Sequence, residues 1–518
     1  MPPSIALLVW FVLLALLFRF DPAKYPGSSL ALWVPLIWIF IVGSRLPSQW
    51  LGLQVGSANQ ALENGNPLDR TIFFLLIVLA IAVLVVRGFN WGGFFARNIF
   101  LVAFLFFALL SVLWSDFPFV SFKRWFRDLG NYLVILVVVS DPNPLEAART
   151  LLRRFCYLLI PLSILLIKYF PYLARQYEVW SGNAQFVGAA TSKNMLGAVC
   201  LISGIFFFWD TVARWSDRKE RRNKWIIRLN AAFVLMTLWL LNLSSSATSK
   251  VCLVIGCLVI IAAYSGVVRR HPALLKVSIP TIFCLYLILA FGLGLSGQLA
   301  AQLGRDPTLT DRTIIWNTLL SLHTNSLIGT GYESFWLGPR LHRIWEVVGG
   351  INEAHNGYLD MYLNLGLIGV VFLVAFLIAS YGTIWKKFPA SHALAALSLG
   401  VWTAMLFYNV TEVAFKGGLL WLAFLLGAMT IPVRAEDREP ALAPGNNGRA
   451  IKRFPRPPLE TRRQLRAITS FLQPTVNGLA AEATTPGKQV GGKKFSRGLR
   501  QQRSSSRQKP NIAPGDNE

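Results

Sequence analysis

A histidine stands where the chain enters a long apolar run. Residues 351 to 372 read INEAHNGYLDMYLNLGLIGVVF and place His355, followed by Asn356 and Tyr358, directly before that run. An imidazole has an ordinary pKa of about 6.5 and is well suited to take a proton from a hydroxyl near neutral pH. A single histidine at a membrane edge is more often a hydrogen-bonding or snorkelling residue. The position alone leaves both roles open for His355.

The composition indicates a membrane protein. Hydrophobic residues make up 54% of the 518 positions and charged residues 14%, whereas soluble domains have about 25% charged residues. All five cysteines lie within apolar runs, which favours packing over a disulfide framework or a CxxC metal site. The net charge of +25 indicates membrane orientation and contact with anionic lipid, and nucleic acid binding is not expected.

Apolar runs of spanning length recur along residues 1–432. Each span needs about 20 apolar residues, and the sequence predicts about 12 or 13 spans. They are 4–18, 29–43, 71–86, 98–114, 130–139, 155–168, 192–209, 226–242, 251–268, 274–295, 357–380, 393–409 and 417–432. The first run lacks a basic leader and a cleavage site, so we expect it to be retained. The predicted fold is an all-α polytopic transmembrane domain.

Basic segments orient this domain. Lysine and arginine concentrate at 214–228, at 269–271 and in the tail 433–518, and the positive-inside rule assigns all three to the cytoplasm. Residues 296–356 then form one large external loop. This loop contains a predicted short helix, capped by Thr310 or Asp311, that rests on the membrane interface through Ile314, Ile315, Leu319 and Leu322. The tail, rich in Pro, Gly, Ser and basic residues, is predicted to be disordered.

The same topology collects cations on the external face, where the orientation rule does not expect them. They are Arg124, Arg127, Lys193, Lys250 and Arg312, accompanied by amides such as Asn194 and Asn356. The sequence indicates no matching cluster of carboxylates. Because the planar fork of arginine matches phosphate oxygens bidentately, the set would suit a diphosphate at the membrane surface. Each cation has the alternative role of snorkelling to lipid headgroups.

Three motifs in the large loop resemble a known family. The run DRTIIWNTLL…LIGTGYESFW…EAHNGYLDMYLNLGLIG resembles the signature of the O-antigen ligase and Wzy-type polymerase superfamily. Its members carry Arg-Thr-x-x-Trp, Gly-x-Gly and His-Asn-x-Tyr-Leu elements in one periplasmic loop. The upstream segments WSDFPFVSFKRWFRDLGNYL and TSKNMLG resemble the exopolysaccharide polymerase branch of ExoQ type. The resemblance covers about residues 70 to 430 and, by its motif order, is specific.

The resemblance implies roles for individual residues. His355 matches the catalytic histidine of the family, and Arg124, Arg127 and Arg312 match arginines that engage a lipid diphosphate. Two positions depart from the ligase branch, which often has arginine at Lys250 and an acidic residue at Asn364. A bidentate phosphate contact is therefore in doubt at Lys250, and a carboxylate at position 364 is not essential to this branch.

The implied enzyme is a metal-independent glycosyltransferase of the bacterial inner membrane. It would polymerise undecaprenyl-diphosphate-linked oligosaccharide repeat units into exopolysaccharide at the periplasmic face. His355 would be the base for the acceptor hydroxyl, and the arginines would stabilise the departing diphosphate. We expect no cofactor, because the cations neutralise the leaving group and no carboxylate pair is indicated for Mg²⁺. Expected partners are the lipid-linked donor, a glycan acceptor, anionic lipids, and a chain-length regulator and flippase of the same pathway.

Two alternatives stay open from the sequence. An O-antigen ligase would transfer the glycan from undecaprenyl diphosphate to lipid A core or another acceptor. A polysaccharide or lipid transporter, or flippase, would more naturally show broken spans at the membrane midplane in matched halves. The sequence does not indicate sugar identity, linkage, repeat length or oligomeric state.

The predicted topology can be tested by cysteine labelling in intact cells. We expect a membrane-impermeant thiol reagent to label Arg340→Cys, because residues 296–356 are predicted to be periplasmic. Glu220→Cys, within the basic segment 214–228, should be labelled only after the cells are permeabilised. Labelling of position 220 from outside, with position 340 spared, would overturn the topology.

Overall fold

The computed structural model describes most of the chain up to residue 430. The described residues are 1–24, 27, 29–53, 65–177, 182, 184–292, 310–322 and 325–430. The predicted tail 433–518 and the first part of the large loop, 296–309, lie outside the described residues.

The first half of the chain forms α1 Pro3–Phe20, a 3-10 turn Leu30–Leu32, α2 Trp33–Gly43, α3 Pro47–Trp50, α4 Pro67–Val86, α5 Trp91–Arg97, α6 Ile99–Leu110, a 3-10 turn Ser111–Trp114, α7 Pro118–Val139, α8 Pro144–Tyr169 and α9 Pro171–Ala174. Two short strands follow, β1 Arg175–Tyr177 and β2 Ala184–Phe186, which pair antiparallel with Gln176 opposite Gln185.

The second half is helical again. It forms α10 Lys193–Arg214, α11 Arg221–Leu243, α12 Ala247–Tyr264, α13 Gly266–Arg270, α14 Pro272–Leu287, a π turn Ile288–Gly292, α15 Thr310–Ser321, α16 Gly338–Val348, α17 Gly357–Lys387, α18 His392–Thr411 and α19 Leu419–Ala428. Helices α8, α10 and α18 are mostly buried by other helices, whereas α1, α4 and α14 present most of their apolar surface outward, as lipid-facing helices do.

The prediction of an all-α polytopic membrane protein is confirmed. Within the described residues, nine helices are long and apolar enough to span a membrane, or ten if the pair α5 and α6, bent by 94°, is one span. The sequence predicted about 12 or 13, because apolar runs were counted without regard to helix length. Leu30–Gly43 and Leu419–Ala428 are helical but shorter, and the run 130–139 is the buried end of α7, whose first half carries four charged residues among aromatic ones.

Helix α17 is broken at Gly366. This residue has φ +64° and ψ −169°, a backbone conformation that L side chains rarely adopt. The loop before α16 supplies the hydrogen bonds that the break removes. Leu367 and Ile368 donate their N–H groups to the carbonyls of Ser326 and Leu327 at 2.8 and 3.1 Å. The break is therefore satisfied by protein, as the interior of a membrane requires.

The glycines of the sequence IGTGY permit this docking from the loop side. Gly329 has φ +66°, and a Cβ there would lie 2.5 Å from the backbone of Asn364. Gly331, with φ +95°, donates its N–H to the carbonyl of Asn364 at 2.9 Å. Residues 366–369, which read GLIG, receive this loop.

The short helix of the large loop, α15, packs mainly against protein. Ile315 and Leu319 are buried in a small core with Phe335, Trp336, Leu341, Ile344, Ala354 and Leu363, and Leu322 packs beside it. Ile314 is 52% exposed. The prediction that these side chains form one face resting on the membrane interface is therefore wrong for most of them, because α16 and the start of α17 cover that face.

Replacing Gly366 with alanine should destabilise the protein by about 1 to 3 kcal/mol through backbone strain alone. A Cβ there would also lie 2.3 Å from the backbone of Leu327. The midpoint of thermal unfolding of the purified protein in detergent measures the effect. Gly382→Ala in the same helix is the control, because nothing lies within 4 Å of its added Cβ. Equal midpoints of thermal unfolding for the two variants would contradict the conclusion that the loop before α16 packs against α17 at Gly366.

Candidate active site

His355 lies at the start of α17 in a constrained backbone. Its φ is +46°, which is uncommon for a residue other than glycine. The next residue, Asn356, caps the helix, since its Oδ1 accepts from the N–H groups of Tyr358 and Leu359, each at 3.0 Å. The Tyr358 hydroxyl donates to the carbonyl of Leu406 at 3.2 Å. Asn356 and Tyr358, which we expected to support the site, thus fix the start of α17 beside His355 and tie it to α18.

Two carboxylates hold the imidazole. Nδ1 of His355 lies 3.4 Å from Oε2 of Glu412 and 3.3 Å from Oε1 of Glu353. The carbonyl of Glu412 also accepts from the N–H of Gly357 at 3.0 Å, so backbone and side chain both tie the end of α18 to the start of α17. Because Nδ1 faces carboxylates, the neutral ring carries its proton there and presents unprotonated Nε2.

Glu412 brings three predicted site residues together. Its Oε2 accepts from Nδ2 of Asn194, in the first turn of α10, at 2.9 Å. Its Oε1 lies 3.5 Å from Nη2 of Arg312 on α15. The Glu412 side chain is 6% exposed, so these charges meet where water is largely excluded. His355, Arg312 and Asn194 therefore belong to one cluster, which we call the Glu412 cluster.

The sequence reasoning missed Glu412. It lies 57 residues after His355 along the chain, and none of the three loop motifs includes it. One signal was present, because Glu412 is the single acidic residue between positions 389 and 430, at the end of an apolar run. An isolated acid at such a position indicates function in a membrane protein.

A second group of charges, the Lys416 cluster, lies beside the first. Nζ of Lys416 is 2.9 Å from Oε1 of Glu333 and 2.8 Å from Oδ2 of Asp360. Burial lowers the pKa of Lys416, but Asp360 and Glu333 together raise it above its usual value, so the ammonium stays charged. Burial likewise raises the pKa of Glu333, and the charges of Lys416 and Arg124 bring it below its usual value.

Two predicted arginines lie at this second cluster. Arg124 donates from Nη1 to the carbonyl of Glu333 at 2.7 Å and lies 3.8 Å from its carboxylate. Arg127 pairs with Asp128 at 3.0 Å, and its side chain is 48% exposed. The hydroxyl of Tyr332 donates to the other oxygen of Asp128 at 2.9 Å. Both guanidinium groups are thus held by α7 and the loop before α16.

The two predicted lysines have different surroundings. Lys193 is the first residue of α10, half-buried and next to Asn194, and Ser192 caps that helix. Lys250 is exposed on α12 and donates to Oδ1 of Asn242 at 3.2 Å. The segment just before Lys250 thus forms the polar turn between α11 and α12.

The expectation that the cations lack matching carboxylates is wrong. Glu333, Asp360 and Glu412 lie in contact with predicted cations or with Lys416, and Glu353 contacts His355, because the fold brings these acids together. Ligand atoms of Glu353, His355 and Glu412 lie within 4.8 Å of one another, close enough to hold a metal ion. Arg312 and Asn194 already contact both carboxylate oxygens of Glu412. Metal independence stays a prediction. It can no longer be argued from a lack of carboxylates, because Glu353 and Glu412 lie together at His355.

The pKa of His355 reflects this environment. The hydrogen bond with Glu412 raises the pKa above 6.5, burial opposes the rise, and the negative charge of Glu353 adds to it. Below the raised pKa the ring is an imidazolium held by two carboxylates. Above it, the ring can accept a proton at Nε2 while Nδ1 stays oriented by Glu412, an arrangement typical of a general base.

Comparisons with known proteins agree with the resemblance seen in the motifs. Residues 231–374 match the family Wzy_C, O-antigen ligase. That segment contains Arg312, Glu333 and His355 and ends before Glu412. The chain is also 26% identical over 360 residues to the exopolysaccharide production protein ExoQ of Rhizobium meliloti (strain 1021), covering 66% of this chain and 79% of the relative. The resemblance to the O-antigen ligase superfamily and its ExoQ-like branch, and the assignment as a multi-pass membrane protein, are confirmed.

The link between Glu412 and His355 predicts a pH-dependent reactivity. Diethyl pyrocarbonate reacts with the neutral form of a histidine ring and not with the protonated form. Because the pKa of His355 is raised, its modification should be half-maximal at a pH above 6.5. Glu412→Gln removes the charge that raises the pKa and should move the midpoint to lower pH. Peptide mass spectrometry after timed modification measures His355 separately from the other histidines. Glu346→Gln on α16 is the matched control, and an equal midpoint in all three proteins would contradict the assignment.

Proposed function

We propose that this protein is a glycosyltransferase that polymerises undecaprenyl-diphosphate-linked oligosaccharide repeat units into exopolysaccharide at the periplasmic face of the bacterial inner membrane. The observation that carries the proposal is the shared carboxylate of Glu412, which holds His355 and Arg312 beside each other outside the spans. The match to an O-antigen ligase family and the similarity to ExoQ, named for exopolysaccharide production, support this class of reaction.

His355 is the proposed general base. Nε2 takes the proton from an acceptor hydroxyl as its oxygen forms a bond to the anomeric carbon of the donor sugar. The bond between that carbon and the diphosphate oxygen breaks with its electron pair, and undecaprenyl diphosphate leaves. Glu412 and Glu353 stabilise the imidazolium that forms. A single displacement of this kind inverts the anomeric carbon.

The arginines are the proposed partners of the departing diphosphate. Arg312 lies in the Glu412 cluster, and Arg124 and Arg127 lie in or beside the Lys416 cluster. Fixed guanidinium groups stabilise charge that grows on the leaving group and need no reorganisation during the reaction. Lys193, beside Asn194, contributes positive charge at the same end of α10. Lys250, hydrogen-bonded to Asn242, has the weakest support of the predicted cations.

The main alternative is ligation of the glycan to lipid A core or another acceptor. The family description, O-antigen ligase, favours it, whereas the name of the Rhizobium relative refers to exopolysaccharide production. Both reactions use the same base and the same leaving group, so they differ only in the acceptor. A transporter has less support, because the break in α17 is closed by the loop before α16 and the Glu412 cluster lies at the ends of the spans.

Loss of the gene should cause single repeat units on lipid diphosphate to accumulate, and complementation tests the role of His355. We expect His355→Ala to insert normally, bind the donor and lose about 10² to 10⁴-fold in rate, because a positioned base contributes that much. His342→Ala, an exposed histidine in the same loop, is the control. Polymer formation by His355→Ala at near wild-type rate would make His355 a structural residue.

Arg312→Lys separates charge from geometry in the same strain. Lysine keeps the positive charge but loses the planar fork, so we expect weaker donor binding and a fall in polymer yield. Arg343→Lys, an exposed arginine on α16, should behave as wild type. Full activity of Arg312→Lys would show that the residue acts only as a point charge.

The deletion strain also separates the polymerase from the ligase. Accumulation of finished polymer on lipid diphosphate in that strain would favour the ligase.

A further inference from the structure

The opposite end of the membrane helices carries a separate group of cations. Helix α10 begins beside the Glu412 cluster, at Asn194, and ends at Arg214, which places its two ends about 30 Å apart at 1.5 Å per residue. That distance is about the thickness of the hydrocarbon core. Arg214 also begins the basic segment 214–228, so this end is the one predicted to face the cytoplasm.

A cleft lined largely by charged side chains opens at this end. The end of α1, the residues that follow it, the first half of α8 and the end of α10 form its walls. Its lining includes five cations, Lys24, Arg149, Arg153, Arg154 and Arg214. The apolar part of the wall is Leu17 and Phe18, at the end of the lipid-facing helix α1.

One buried carboxylate is shared by three of these arginines. Asp210 is fully buried and accepts from Arg153 and from Nε of Arg214, the latter at 3.1 Å, while Nε of Arg149 lies 3.4 Å away. Asn230 donates to the same carboxylate at 3.0 Å. A single negative charge therefore fixes three guanidinium groups around the cleft without neutralising them all.

The remaining charges leave the cleft positive. Glu146 pairs with Arg149 at 2.6 Å, and Asp21 accepts from the hydroxyl of Tyr157 at 3.2 Å. With Asp210, three carboxylates face five cations, an excess of two positive charges. The guanidinium group of Arg154 lies near the rings of Phe18 and Trp33, at 5.8 and 5.5 Å from their centroids. Within the described part of the chain, Arg154 has no carboxylate within ion-pair distance.

We propose that this cleft binds the phosphate of an anionic lipid in the cytoplasmic leaflet. The excess of two charges fits a phosphate group, and arginine forks are the donors that match its oxygens. Leu17 and Phe18 offer an apolar path from the cleft to the lipid-facing surface of α1, where acyl chains lie. A free phosphate would use the same donors but would gain nothing from this apolar wall. The site is independent of the sugar transfer proposed for the opposite end.

Native mass spectrometry of the full-length protein tests the proposal. The protein is stripped of lipid in detergent and then mixed with equal amounts of phosphatidic acid and phosphatidylcholine of matched chain length. We expect one phosphatidic acid to stay bound preferentially, and Arg154→Gln to reduce its retention about fivefold, as loss of one cation near a headgroup does. Arg154 is the chosen position because no ion pair of the Asp210 group depends on it.

Arg228→Gln is the matched control, since Arg228 lies on the basic segment 214–228, which is predicted to face the cytoplasm, and stacks on Trp225 outside the cleft. It should retain lipid as wild type does. Equal retention of the two lipids, equal loss in both variants, or no loss in Arg154→Gln would overturn the site. Inorganic phosphate at millimolar concentration is added in a separate arm. The lipid assignment is wrong, and the ligand is free phosphate, if two results are obtained together. Inorganic phosphate displaces the bound phosphatidic acid where an equal concentration of phosphatidylcholine does not, and inorganic phosphate alone raises the unfolding temperature as much as phosphatidic acid does.

Discussion

The ammonium of Lys416, held between Glu333 and Asp360, joins the three segments on which the site depends. It lies between α18 and α19, Glu333 lies in the loop that enters the break of α17, and Asp360 lies in the first turn of α17. Breaking such a largely buried pair by removing one partner costs about 3 to 5 kcal/mol, since a charge is left without its counterion. The three segments therefore keep one arrangement.

That arrangement determines where His355 lies. Asp360 also accepts from Nε1 of Trp336 at 2.9 Å and lies 3.4 Å from the N–H of Ala354, the residue before His355. The Asn356 cap follows directly, and the carbonyl of Glu412 closes the turn through Gly357. With both sides of His355 anchored, its left-handed backbone conformation persists and its ring stays against Glu412. Orientation of this kind is what a general base requires.

Much of the fold and part of the site could be predicted from the sequence. Long apolar runs predict helices well, because every backbone group in lipid must be paired within the protein. His355 and Arg312 were indicated by local motifs. Their partner Glu412 was not, because its contact with His355 spans 57 residues and depends on how α17 and α18 pack. The break at Gly366 was missed for the same reason, since a glycine in an apolar run looks the same whether it packs against a helix or receives a loop.

The charge balance of the site also needed the structure. The lysines and arginines on the predicted external face indicated a purely cationic site. The acidic residues that hold these cations and His355 lie at four separate positions along the chain, and the sequence did not indicate that they meet. Glu333, Glu353, Asp360 and Glu412 each contact a cation or the imidazole of His355. A site made of paired charges differs from a purely cationic one, because each guanidinium group is fixed before an anion arrives.

Transfer by the purified protein is the most direct test of the central claim, that this protein joins sugars with release of a lipid diphosphate. The protein would be reconstituted in liposomes with one synthetic lipid-diphosphate-linked repeat unit and a chelator of divalent cations. The account predicts that glycans of two and more repeat units form, and that one lipid diphosphate is released for each new bond. Movement of the intact lipid-linked unit across the bilayer without any new glycosidic bond would contradict it.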